Sequence, residues 1–159
     1  MNKQELIEKV VVRLGDELEL LTKAARAAHS EATHESSKAE NKYDTRGLEA
    51  SYLARGQSKQ AAEVAQAITD FQNLSPREFG DTEEIDVGAV VVAESARDRS
   101  FYFIGPRAGG TEVTLDGKEV LVITAQSPLG QQLVGRKQGD KVKLEIAGAR
   151  TEFRIASVT

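Results

Sequence analysis

Apolar residues in the first half of the chain recur by fours and threes. Ile7, Val11, Leu14, Leu18, Leu21, Ala25 and Ala28 form a heptad seam, which predicts one helix from Lys3 to about Ser30. At about 1.5 Å of rise per residue, such a helix is roughly 40 Å long. Ala50, Ala54, Gln57, Ala61, Val64, Ile68 and Phe71 repeat the same rhythm and predict a second helix, starting at Glu40 or Asp44 and closing at Leu74 before Pro76. Both seams run from large residues near the chain ends to small ones near the connection. Antiparallel pairing therefore sets Leu14 and Leu18 near Ile68 and Phe71 at a base, and Ala25 and Ala28 near Ala50 and Ala54 toward a tip, giving a thin hairpin arm.

The segment between the helices, His34 to Asp44, is polar throughout. Ser37 and Glu40 have the spacing of a capping box, and Asp44 is an alternative N-cap. Beyond an acidic linker at 77–84 the period shortens to that of strands. These are predicted at Ile85–Ala93, Ser100–Ile104, Thr111–Leu115, Val120–Ala125, Lys141–Ile146 and Thr151–Ser157. Alternation is clearest in Val142-Lys-Leu-Glu-Ile146, and Gly105-Pro106, Gly109-Gly110, Asp116-Gly117, Gly139-Asp140 and Gly148 mark turns. One short helix is expected at Leu129–Val134, with Ser127 as N-cap, Pro128 at the first helical position, and Leu133 and Val134 in the core. The expected organisation is α+β: a coiled-coil hairpin over 1–76, the linker, and a small antiparallel β domain over 85–159.

A hydrophobic fraction of 40% in 159 residues supports a real core. The net charge of −4 argues against nucleic-acid affinity driven by counterion release, so contact with nucleic acid is expected only indirectly. Cysteine is absent, which removes disulfides, thiolate nucleophiles and thiolate metal sites. The amino terminus lacks an apolar export segment and no stretch approaches a membrane span. A cytoplasmic monomer is expected. His29 and His34, near the polar connection, read as solvated residues, and Arg46, Arg55 and Lys59 as a polar face of the second helix.

Several motifs carry a resemblance. Ser127-Pro-Leu-Gly-Gln-Gln-Leu-Val-Gly135, followed by Arg-Lys-Gln-Gly-Asp140, resembles the carboxy-terminal signature of the bacterial GreA/GreB transcript cleavage factors. Val91-Val-Ala-Glu-Ser95, Phe101-Tyr-Phe-Ile-Gly-Pro106 and the alternating Val142, Leu144 and Ile146 are similar to that family's strands. The resemblance implies an FKBP-like β domain that docks on RNA polymerase through Ser127, Pro128, Leu129, Gly130, Leu133 and Gly135, with the arm entering the secondary channel. It further implies acidic tip residues that assist an Mg²⁺ shared with the polymerase, which owns the catalysis; the chain itself is then no enzyme and has no cofactor of its own. The family's tip pattern is Gly-Asp-x-x-Glu-Asn-x-x-Tyr. Here Glu40-Asn41 match it, Ser37 stands in place of the Asp, and Tyr43 comes one residue early. Glu40 is thus the expected metal-facing carboxylate, with Glu35 or Asp44 as the second acid. The alternatives are a channel binder that competes with cleavage factors without cleaving, and a hairpin adaptor unrelated to transcription. Prolyl isomerase activity, which the fold analogy suggests, is discounted because Phe79, Phe101, Tyr102, Phe103 and Phe153 do not amount to a deep aromatic pocket with a Trp.

Overall fold

The computed structural model describes residues 1–33, 46–146 and 148–159. Helix α1 spans Lys3–Thr33 and α2 spans Arg46–Gln72. They are followed by β1 (Val90–Glu94), β2 (Arg99–Ile104), β3 (Glu112–Leu115), β4 (Lys118–Ile123), α3 (Pro128–Leu133), β5 (Lys141–Ile146) and β6 (Ala149–Val158). No described helix is long and apolar enough to cross a membrane. Two compact units are present: Leu14–Ile68, and Met1–Arg13 together with Thr69–Thr159.

In the hairpin unit the burial follows the seam. Leu14, Ala28, Ala50, Ala54 and Ala67 are buried, and Leu18, Leu21, Ala25, Gln57, Ala61, Val64 and Ile68 are half-buried. Small residues take the buried positions Ala28, Ala50 and Ala54 at one end, as the sequence gradient predicts. The expected helix starts at Ser37, Glu40 or Asp44 lie outside the described residues.

In the other unit the first turns of α1 are buried more widely than a seam demands: Leu6 and Val10 are wholly buried alongside Ile7. The end of α2 contributes Phe71, fully buried, whose ring lies 6.1 Å from that of Phe103 on β2. The last turn of α2 closes with Asn73 N–H on Thr69 C=O (3.0 Å) and Leu74 N–H on Phe71 C=O (3.1 Å). Pro76 follows two residues later, as the helix-stop reading expects.

The six strands form one sheet in the order β3-β4-β2-β1-β6-β5. Its pairs are antiparallel except β2 with β4, which run parallel with Phe101 opposite Val120 and Phe103 opposite Val122. The sheet is therefore mixed where an antiparallel one was expected. From β2 the chain skips one strand position to β3 at the edge, and the Asp116-Gly117 turn (φ 53° and 72°) folds β4 back into the gap. Positive φ at both central residues is the hairpin turn that matches strand twist. A second correction concerns the segment before β1. Ile85 to Ala89 is not sheet: Gly88 turns the chain at φ +92°, and the Ala89 N–H closes on the Asp86 carbonyl at 3.0 Å. Ile85 is nonetheless buried, because it pairs with the segment after α3.

Alternation gives the sheet two apolar faces. Val90, Phe103, Val120 and Val122 share one face with Phe71 against it. Val91, Ala93, Ile104 and Ile123 share the other, in a core with Leu133 of α3, Phe153 and Ile155.

Candidate partner-docking site

The segment from Thr124 to Gly135 is tied by short-range hydrogen bonds. Ser127 is the N-cap of α3: its Oγ accepts from Gly130 N–H (3.0 Å) and donates to Thr124 C=O (2.8 Å). Pro128 occupies the first helical position, where its missing N–H has no intrahelical partner to lose. Gly130 sits directly under the Thr124 carbonyl; a Cβ there would stand 1.8 Å from that oxygen. The helix ends with Val134 N–H on Gly130 C=O (2.9 Å), and Gly135 follows at φ +83°. Gly135 N–H donates to Ile85 C=O (2.9 Å) and Ile85 N–H to Arg136 C=O (2.8 Å), which fastens the knot to the chain entering the β domain.

These contacts sort the six residues expected to meet a partner. Gly130 and Leu133 are buried, the latter wholly, and they position the knot. Ser127 and Leu129 are half-buried, and Pro128 and Gly135 are exposed. The same surface also presents Gln131, Gln132, Arg136, Lys137 and Gln138, which sequence reading passed over because polar letters beside a turn carry no pattern of their own.

Beside the knot lies a cleft of about 480 Å³ lined by Arg77, Glu83, Glu84, Ile85, Asp86, Val134 and Gly135. Arg77 is held from two sides: its guanidinium pairs with Glu83 and stacks 3.8 Å from the centroid of Phe79. Lys3 donates to the Arg77 carbonyl and lies 4.8 Å from the same ring. Burial lowers the Lys3 pKa from the usual lysine value, against the raising effect of Glu78. The linker thus has a folded structure of its own around a buried Phe79.

Glu83 has its pKa lowered, first by the hydrogen bond from Arg77 and then by Gly80 N–H, 3.2 Å from Oε2. Because the folded value lies below the unfolded one, its contribution is present above the ordinary carboxylate range and is lost as pH falls through the folded value. Urea midpoints measured from pH 7 down to pH 3 should therefore fall less steeply for Glu83→Gln than for the unaltered protein. Equal slopes would mean that the Arg77–Glu83 pair is not held in solution.

The acidic candidates Glu35, Glu40 and Asp44, with Asn41, lie outside the described residues, as does His34. Among the described residues no group of three or more His, Cys, Asp or Glu side chains is arranged to hold a metal ion. His29 is exposed on α1, and its carbonyl accepts from Thr33 Oγ1 at 3.0 Å.

A helical hairpin followed by a small β domain with one capped short helix is the architecture expected from the sequence, with a mixed sheet in place of the antiparallel one. Residues 80–159 match the family model described as transcription elongation factor GreA/GreB, C-terminal. This chain belongs to the GreA/GreB family and is a transcription elongation factor of the Gre type. It is 25% identical over 163 residues to the transcription elongation factor GreA of Thermotoga neapolitana, covering 100% of this chain and 99% of that one. It is 33% identical over 78 residues to GreA of Streptococcus pyogenes serotype M5, covering 48% of this chain and 45% of that one. Among solved structures it is similar to GreA factor homolog 1 of Thermus thermophilus, with 23% identity, 94% of each chain covered and a TM-score of 0.40.

Proposed function

We propose that this protein binds bacterial RNA polymerase through the exposed rim of the α3 knot and places its hairpin arm in the secondary channel. There Glu40 assists the Mg²⁺-dependent cleavage of backtracked transcripts that the polymerase performs. The observation that carries this reading is the match of residues 80–159 to the GreA/GreB family, preceded in the same chain by the α1–α2 hairpin. In the knot, Ser127, Pro128, Leu129 and Gly135 reach the surface, while Gly130 and Leu133 hold them in place. At the tip, a carboxylate on Glu40 offers a hard oxygen ligand of the kind Mg²⁺ accepts, with Glu35 or Asp44 as the second acid and Asn41 beside it. The chain contributes ligands and position, and the polymerase contributes the active centre.

A second reading is favoured by the sequence of the tip. Ser37 stands where the family pattern has Asp, and Lys38 and Lys42 interleave with the acids and offset their charge. On that reading the protein occupies the channel without promoting cleavage and competes with factors that do.

One experiment separates the two: RNA length in a purified backtracked elongation complex, with unaltered protein and with Glu40→Gln, beside a direct measurement of polymerase binding. Shortening of the RNA that falls by about 10²-fold in the variant while binding persists is the result expected of a carboxylate acting at the reacting centre. Binding with no shortening supports the channel occupant. Absence of binding removes both readings and leaves a hairpin adaptor.

A further inference from the structure

The sheet ends in two edges, β3 and β5, and among the described residues no strand covers the outer side of either. An uncovered edge is a row of unpaired N–H and C=O groups, which natural sheets guard by brevity or by charge. β3 is guarded by its length of four residues; β5 is longer, with six. The backbone phase of β5 follows from Asp140, whose carbonyl accepts from Ile155 N–H at 2.9 Å, and from the register that sets Val142 opposite Phe153 and Leu144 opposite Thr151. Bonding alternates along an antiparallel pair, so Val142 and Leu144 spend their N–H and C=O groups on β6, and Lys141, Lys143 and Glu145 turn theirs outward. The side chains of these three are exposed, while Val142 is buried in the core and Leu144 is half-buried against it. Charge is therefore what guards this edge.

We propose that the β5 edge pairs with the same edge of a second copy of this chain, antiparallel about a twofold axis, so that one sheet runs through both molecules. In a regular ladder outward-facing residues must lie opposite one another, which leaves few registers, and charge chooses among them. Lys141 opposite Lys143, Lys143 opposite Lys143, or Glu145 opposite Glu145 each sets like charges together, which destabilises a strand pair. One register sets none. In it Lys143 of each copy lies opposite Glu145 of the other, and Leu144 meets Leu144 on the axis. Within one copy Lys143 already stands 4.0 Å from Glu152 across the strands, and Arg150 stands 3.9 Å from Glu145. The joined sheet thus carries a row of Glu152 and Lys143 from one copy and Glu145 and Arg150 from the other, alternating in sign, and the twofold axis repeats it. The lysine that wards off an unrelated strand attracts this chain's own. A single strand edge falls short of the about 800 Å² per partner of a stable interface, so the dimer is weak, with a dissociation constant on the order of 0.1 mM. The expected monomer is then the form at low concentration.

Sedimentation equilibrium of the full chain between about 10 μM and 1 mM tests this, on the unaltered protein, on Lys143→Glu, on Glu145→Lys, and on the two variants mixed in equal amounts. In its own dimer Lys143→Glu sets carboxylates opposite each other and Glu145→Lys sets amines opposite each other, whereas one copy of each restores both opposite-charge pairs. The expected result is association of the unaltered protein that weakens by about tenfold or more in each variant alone and returns in the mixture. Both substitutions also touch the pairs with Glu152 and Arg150, so circular dichroism and urea midpoints check that each variant is folded. If one is not, amide exchange in the unaltered protein carries the test: the Lys143 and Glu145 N–H groups, open in the monomer, should exchange more slowly as concentration rises, and constant rates overturn the inference. A chain that stays monomeric throughout, a dimer indifferent to both substitutions, or a mixture no more associated than its parts overturns it as well. Each of these outcomes leaves the proposed function standing, since that rests on other surfaces.

Discussion

Gly130→Ala is expected to destabilise the β domain by about 3 kcal/mol or more, the upper end of what forcing atoms into a packed interior costs. The new Cβ would lie 1.8 Å from the Thr124 carbonyl oxygen, 2.7 Å from its carbon and 2.9 Å from Ser127 Oγ. Two of those three atoms are backbone, so no rotamer change relieves the overlap; α3 must lift. Lifting α3 pulls Ser127 Oγ away from the Thr124 carbonyl it donates to and withdraws Leu133 from the core, where it is wholly buried. Ser127→Ala removes only the cap and should cost about 1 kcal/mol. Gly56→Ala, in a helix and with nothing within 4 Å of the added methyl, should instead stabilise by roughly 0.5–1 kcal/mol. Urea unfolding followed by near-ultraviolet circular dichroism ranks the three. A Gly130→Ala cost no larger than that of Ser127→Ala would mean that the close seating of α3 on Thr124 does not hold in solution. The same variant bears on function, since the surface expected to meet the polymerase is the outer side of this knot.

Phe71→Ala is expected to cost about 3–5 kcal/mol, the range for deleting a fully buried aromatic side chain. Phe71 lies at the end of α2, packs on Phe103, and reaches so far over the sheet that a Cβ on Gly105 would meet its Cζ at 2.8 Å. Gly105 is therefore the residue that makes room for it. The dependence can be measured as a coupling. Gly105→Ala should be strongly destabilising alone and less so in the Phe71→Ala background, with a coupling energy of about 1 kcal/mol or more. Relief will be partial, because Val122 Cγ1 also stands 2.8 Å from the same point. Strict additivity would show that Phe71 does not occupy this site. The ion pair of Arg107, in the loop after β2, with the half-buried Asp70 of α2 leaves the guanidinium exposed, and its contribution is expected to be small beside that of the ring.

Much of the architecture was legible in the chain because it depends on local period. The positions that step by fours and threes from Ile7 to Ala28 and from Ala50 to Phe71 are all buried or half-buried on α1 and α2. The alternation of Val142 and Leu144 became β5, and Ser127 with Pro128 opened α3 as a capped helix. These signals survive because each is set by neighbours within one or two turns.

What the letters left undecided depends on residues far apart in sequence. Leu6 and Val10 fall off the heptad seam, yet both are wholly buried, since the first turns of α1 belong to the same compact unit as the β domain. Lys3 reads as a surface lysine until the Arg77 carbonyl and the Phe79 ring are brought to it across more than seventy residues. The parallel pairing of β2 with β4 cannot be read from two strand patterns that would serve either direction equally. Ile85 was legible as apolar, and only its exchange of hydrogen bonds with Gly135 and Arg136 took it out of the sheet. Gly130 looked like one more turn glycine near a proline, and only the folded turn brings the Thr124 carbonyl to the place where its side chain would stand. Periodicity fixes which face of an element is apolar, because that is a property of one chain segment. Which surface covers that face, and how closely two backbones meet, is settled only when the segments pack against each other at near-crystalline density.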